Sequence, residues 1–120
     1  MIEVDPVTLL HTYHAAINAL DFVAIEAMFD EHAVYISGGI GGVTEGRAKI
    51  MAAFRAYFDT YPDQVAIDES VERVGSLSVR SVWQLTATHR GTGQRLMRSG
   101  EEVLTFDDTG RIVRVEVTDR

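Results

Sequence analysis

The order of apolar and polar positions divides the chain into a helical first half and a stranded second half. Leu9, Leu10, Tyr13, Ile17 and Leu20 recur at three- and four-residue spacings, which places them on one helix face and predicts that this face is buried, Tyr13 included. Asp5-Pro6 supplies the start: a capping carboxylate, then proline at a position where its missing N–H costs nothing. A tight break at Leu20-Asp21 leads into a second, short helix capped by Asp21, with Ile25, Met28 and Phe29 inward and Asp30-Glu31-His32 at its polar end. Residues 33–37, from Ala33 through Tyr35 to Ser37, have the β-branched and aromatic content of a strand. A third helix opens at Thr44 or Gly46, gathers Ile50, Phe54, Tyr57, Phe58 and Tyr61 on one broad face, and stops at Pro62.

Four strand-like segments follow, at 64–74, 77–89, 94–106 and 111–119. Gly75-Ser76, Gly91-Thr92-Gly93 and Asp107-Asp108-Thr109-Gly110 separate them with turn chemistry, which predicts an antiparallel meander. Alternation then sorts faces. Val113, Val115 and Val117, continued by Asp119, face the helices, with Arg114, Glu116 and Thr118 opposite. Leu96, Arg98, Gly100, Glu102, Leu104 and Phe106 form the inward set of the preceding strand, because Leu104 and Phe106 are its larger apolar pair. Met97, Val103 and Trp83 are left as outward apolar residues. The glycine-rich stretch 38–42 is a loop, either a plain connector or a lid over a pocket mouth; it lacks the Lys-Ser/Thr ending of a phosphate-binding P-loop.

Composition narrows the function. A chain of 120 residues is the size of one domain, residues 1–120, able to bury a core without staples. A net charge of -7 argues against nucleic acid and against an anionic membrane surface, and favours a small-molecule partner. With no cysteine there is no disulfide, no thiolate nucleophile and no cysteine-bound metal, and no histidine pair has helical metal-site spacing, so neither metal nor cofactor is expected. The N-terminus carries no basic segment or apolar h-region, and the chain is expected to be cytoplasmic.

The succession of helix, short helix, strand, glycine loop, helix and meander resembles the NTF2-like superfamily, and within it the SnoaL-like and ketosteroid-isomerase-like branch. The residues that carry the resemblance run from Tyr13 through Leu20-Asp21 to Met28-Phe29, with Ala33 opening the strand; Thr44-Glu45-Gly46-Arg47, Tyr61-Pro62-Asp63 and Phe106-Asp107-Asp108-Thr109-Gly110-Arg111-Ile112 complete them. The resemblance implies an α+β cone, also called cystatin-like, in which three N-terminal helices pack in a curved antiparallel sheet around a cavity for a small hydrophobic or carbonyl-containing ligand. It also implies a homodimer paired through the outer sheet face.

Matched to ketosteroid isomerases, the first-helix tyrosine falls on Tyr13, the strand acid on Glu102, and the aspartate base on Ser37, whose hydroxyl cannot take up a proton near neutral pH as a carboxylate does. A neutral Glu102 beside the Tyr13 phenol would give two donors for a developing oxyanion; the alternative is a core tyrosine with a satisfied hydroxyl. Arg98 competes as a partner that would keep Glu102 ionised, and Asp119 could join them, an arrangement similar to the epoxide-hydrolase branch. His14, beside Tyr13, is a candidate general base, whereas His11, His32 and His89 are assigned no role. Ile17, Phe29, Ser37, Phe54, Phe58, Arg98, Leu104, Val117 and Asp119 are expected to line the pocket. Two functions stay open: an isomerase, cyclase or dehydratase acting by acid-base chemistry, and a non-catalytic ligand-binding or dimerisation module.

Overall fold

Capping carboxylates start the first two helices. In the computed structural model, which describes residues 4–37 and 42–120, Asp5 accepts the Val7 N–H at 3.1 Å and opens α1 (Pro6–Asn18), and Asp21 accepts the Ala24 N–H at 3.1 Å and opens α2 (Phe22–Met28). Between them Leu20 takes φ of 54°, the left-handed conformation that turns the chain back on itself. The chain continues into β1 (Phe29–Ser37), β2 (Gly42–Glu45), α3 (Arg47–Thr60), β3 (Val65–Gly75), β4 (Ser78–Thr88), β5 (Arg95–Phe106) and β6 (Ile112–Asp119). The expectation of a lid or connector at 38–42 concerns residues that, Gly42 apart, lie outside those described.

The six strands form one sheet in the order β2-β1-β6-β5-β4-β3. The meander of β3 to β6 is antiparallel, as the turn residues require, and β2 folds back antiparallel on β1. One pairing departs from the antiparallel expectation: β1 runs parallel to β6, with Tyr35 opposite Val115 and Ser37 opposite Val117. β1 also begins at Phe29 and so takes up His32, which had been read as the end of a helix.

The helices pack into the concave side of the sheet. Their junction is a chain of edge-to-face rings, Tyr13 on Phe29 (5.7 Å between centroids), Phe29 on Phe54 (6.0 Å) and Phe54 on Phe58 (6.0 Å), backed by Leu104, Phe106, Ile112 and Val115. Two face assignments are corrected. A register shift between Thr105 and Phe106 puts Ile112 in the core and leaves Val113 half-buried. Trp83, read as outward, is buried on the concave face, because it lies directly opposite Gly100, whose missing side chain leaves the indole its space.

Candidate functional site

The inner faces of β1 and β3 to β6, with Thr44 of β2, and the flanks of α1 and α3 surround a cavity of about 480 Å³. Its walls are mostly apolar, from Ile17, Phe54, Phe58, Trp83, Leu85 and Val117. The polar groups reach it from different elements, and each is placed by simple periodicity.

His14 follows Tyr13 on α1 and comes one turn before Asn18. Asn18 clamps the end of α1 to β3, donating Nδ2–H to the Ala66 carbonyl and accepting the Ala66 N–H, both at 3.0 Å. Residues four apart on a helix share a face, and residues two apart on a strand share a side. The clamp therefore sets His14 against Asp68, two residues beyond Ala66. The Nδ1 atom of His14 lies 2.9 Å from both Asp68 carboxylate oxygens, and Nε2 lies 2.6 Å from Oε1 of Glu102 on β5. All three side chains are largely buried, at 14%, 18% and 8% exposure.

Burial works against a charge on His14, but the negative charge of Glu102 and the hydrogen bonds to Asp68 and Glu102 outweigh it and raise its pKa to about 10. At neutral pH His14 is therefore an imidazolium that donates from both nitrogens, one toward Asp68 and one toward Oε1 of Glu102. Glu102 accepts from His14 through Oε1. Its second oxygen makes no hydrogen bond among the described residues, and Glu102 lines the cavity.

Tyr13 is fully buried, lines the cavity, and its hydroxyl has no hydrogen-bond partner among the described residues. Burial, then the neighbouring Tyr35 and Glu102, push its pKa well above the usual phenol value, so it stays a neutral phenol with a proton to donate. Ser37 also lines the cavity, from the end of β1.

Arg98 does not pair with Glu102. Its Nη2–H binds Asp119 Oδ1 at 2.6 Å, and its guanidinium carbon lies 5.5 Å from the centre of the Trp83 ring. With Arg98 and Asp119 in one pair and Glu102 held by His14, the convergence of one arginine on two acids does not form. Asp119 sits at the rim, 44% exposed, and is not part of the wall. Phe29 and Leu104, expected in the pocket, are sealed in the core behind it, Phe29 between the rings of Tyr13 and Phe54. Tyr13, His14, Ile17, Ser37, Phe54, Phe58, Arg98, Glu102 and Val117 do meet at the cavity. Asp68 was missed. The signal was alternation along β3, where Ala66 and Asp68 turn inward while the apolar Val65 and Ile67 face out, the reverse of the usual order. No cluster able to hold a metal occurs among the described residues.

Three helices in a six-stranded curved sheet, around an apolar cavity with polar groups at its wall, define an NTF2-like cone. The SnoaL-like domain family matches residues 10–115, and the chain belongs to it. Among solved structures it is similar to Bal32a, from a soil-derived mobile gene cassette, with 25% identity and a TM-score of 0.83 over 93% of this chain and 86% of that one. It is similar to SalBIII, an epoxide hydrolase/cyclase-like enzyme in pyran ring formation in polyether salinomycin, with 21% identity and a TM-score of 0.83 over 94% and 88%. It also resembles RV0760c from Mycobacterium tuberculosis, in complex with estradiol-17β-hemisuccinate, with 12% identity and a TM-score of 0.83 over 93% and 91%. Among curated proteins none matches significantly.

Proposed function

We propose that this protein is an acid-base enzyme that moves a proton at a carbon next to a carbonyl in a small, largely apolar ligand, the chemistry of isomerisation and cyclisation. The observation that carries the reading is the Asp68–His14–Glu102 chain at the wall of an apolar cavity, beside the unpartnered Tyr13 hydroxyl. Glu102 is the base, taking the proton on the oxygen that His14 leaves open. Tyr13 donates to the enolate oxygen as charge develops there, in surroundings where a hydrogen bond is strong. His14 and Asp68 are positioning residues: the imidazolium fixes the Glu102 carboxylate and Asp68 fixes the ring. Ser37, at the place of the isomerase base, has no part in proton uptake.

SalBIII's part in pyran ring formation and the steroid ester bound by RV0760c support this reading as chemistry that the same fold accommodates. A panel of ketones and polyketide-like compounds tests it: turnover falls by about 10²-fold or more in Glu102→Gln, the range of general-base effects, and falls in Tyr13→Phe. Unchanged turnover in both variants overturns the assignment and leaves the non-catalytic binding module.

The outer sheet face serves a second copy of the chain. Val65, Thr86 and Met97 lie side by side across β3, β4 and β5 on that face, with Ile67 next to them, and Val65, Ile67 and Met97 are 48%, 66% and 77% exposed. Light scattering of wild type against Met97→Glu checks this pairing: a dimer that the variant splits is expected, and a monomeric wild type contradicts it.

A further inference from the structure

Two hydrogen-bond donors at the Arg98 end of the cavity are left without enough acceptors. Arg98 carries five N–H groups, of which one meets Asp119 and another faces the Tyr57 hydroxyl. The Tyr57 hydroxyl, from α3, is buried beside Arg98, the group it faces, and meets no acceptor for its own proton among the described residues. Both side chains line the cavity, where Arg98 is the one arginine or lysine among the described residues. The face of Trp83 supports the guanidinium from beneath, and the indole can lie there because any side chain at Gly100 would come within 2.8 Å of it. What this corner lacks is an acceptor beyond Asp119, and the chemistry that completes a guanidinium and a phenol together is an oxyanion.

The position of the corner fixes where that oxyanion sits in a ligand. Arg98 and Glu102 are on the same face of β5, four residues apart, which at about 3.3 Å per residue is about 13 Å along the strand. We propose that the ligand is a rigid apolar acid, with its reacting carbonyl at the Tyr13–Glu102 end and a carboxylate at the other, held by Arg98 and Tyr57. The inference rests on the proposed reading of the Tyr13–Glu102 end. Asp119 is the built-in occupant that the ligand carboxylate replaces. Its side chain is 44% exposed, so once released it returns to water at little cost. The overall charge of -7 does not prevent entry, since at physiological salt it is screened beyond about 8 Å.

The test uses 4′-acetylbiphenyl-4-carboxylic acid and its carboxamide, which share a flat body and a ketone and differ in the charged end. Binding is measured by calorimetry and by the fluorescence of Trp83, the single tryptophan. The wild type is expected to bind the acid about tenfold more tightly than the amide. The ratio should fall to about one in Arg98→Gln and be reduced in Tyr57→Phe, the loss falling mainly on the acid. Equal affinity of the wild type for the two probes, or an acid preference that survives Arg98→Gln, overturns the inference. The two failures are distinguishable: an amide that binds and exchanges its acetyl protons, with no preference for the acid, sinks this inference alone. Failure of both probes to bind rejects it together with the ligand chamber.

Discussion

At the scale of single residues the site is a contest between burial and charge, and His14 shows which wins. Alone in an apolar wall an imidazole loses its proton; flanked by Asp68 and Glu102 it keeps it to about pH 10. Its folded-state pKa lies above the ordinary 6.5, so the folded state holds the proton more tightly than the unfolded chain. The stability this contributes is complete below about pH 6.5, shrinks as pH rises, and is gone above about pH 10. The unfolding free energy of the wild type should therefore decline against that of His14→Gln across this window, as urea titrations at several pH values would show; parallel profiles contradict the pairing. Tyr13 makes the opposite case. Its buried hydroxyl has no partner, and such a group costs about 1–3 kcal/mol. Tyr13→Phe is thus expected to be more stable by about 1 kcal/mol while it loses turnover, a combination that a core tyrosine with a satisfied hydroxyl would not give. Tyr13, His14 and Glu102 were legible as individuals, since each occupies an inward place in its own element. Their partners were not. Arg98 and His14 are equally plausible neighbours for Glu102 along the sequence, and the fit of α1 against β3, set by Asn18 and Ala66, decides for His14.

At the scale of elements, period and turn chemistry carried most of the fold. The helix faces follow from spacing, the meander from turn residues, and the inward set of β5 from Leu96 to Phe106 from alternation together with the larger apolar pair Leu104 and Phe106. What spacing does not contain is register. The bulge that substitutes Ile112 for Val113, and the parallel pairing of β1 with β6, depend on contacts between segments far apart in the chain. Trp83 was misplaced for a related reason, because its room comes from Gly100 on the neighbouring strand. A side chain on Gly100 would also approach the Thr118 carbonyl to 2.7 Å, and that carbonyl belongs to the β5–β6 ladder. Gly100→Ala should consequently cost about 1–3 kcal/mol, the range for overpacking, and shift the Trp83 emission. Thermal unfolding followed by fluorescence checks both, and an unchanged melting temperature contradicts the packing described.

At the scale of the molecule, the cone holds a chamber of about 480 Å³ in a chain of net charge -7. No helix among the described residues is long and apolar enough to cross a membrane. A chamber occupied only in the folded state couples binding to stability: at a hundred times its Kd a ligand should raise the unfolding free energy by about 2.7 kcal/mol. The Kd found by calorimetry and the stabilisation found by denaturant titration must then agree, and a ligand that binds the surface of both states would break that agreement. The central claim is narrower, that Glu102 removes a proton next to a carbonyl placed against Tyr13. Proton NMR in deuterium oxide reads it directly through the acetyl signal of 4′-acetylbiphenyl-4-carboxamide, which exchanges at the carbon in question. The account predicts exchange about 10²-fold or more faster with the wild type than with Glu102→Gln; equal rates with the two proteins, or a wild-type rate no faster than buffer, would contradict it.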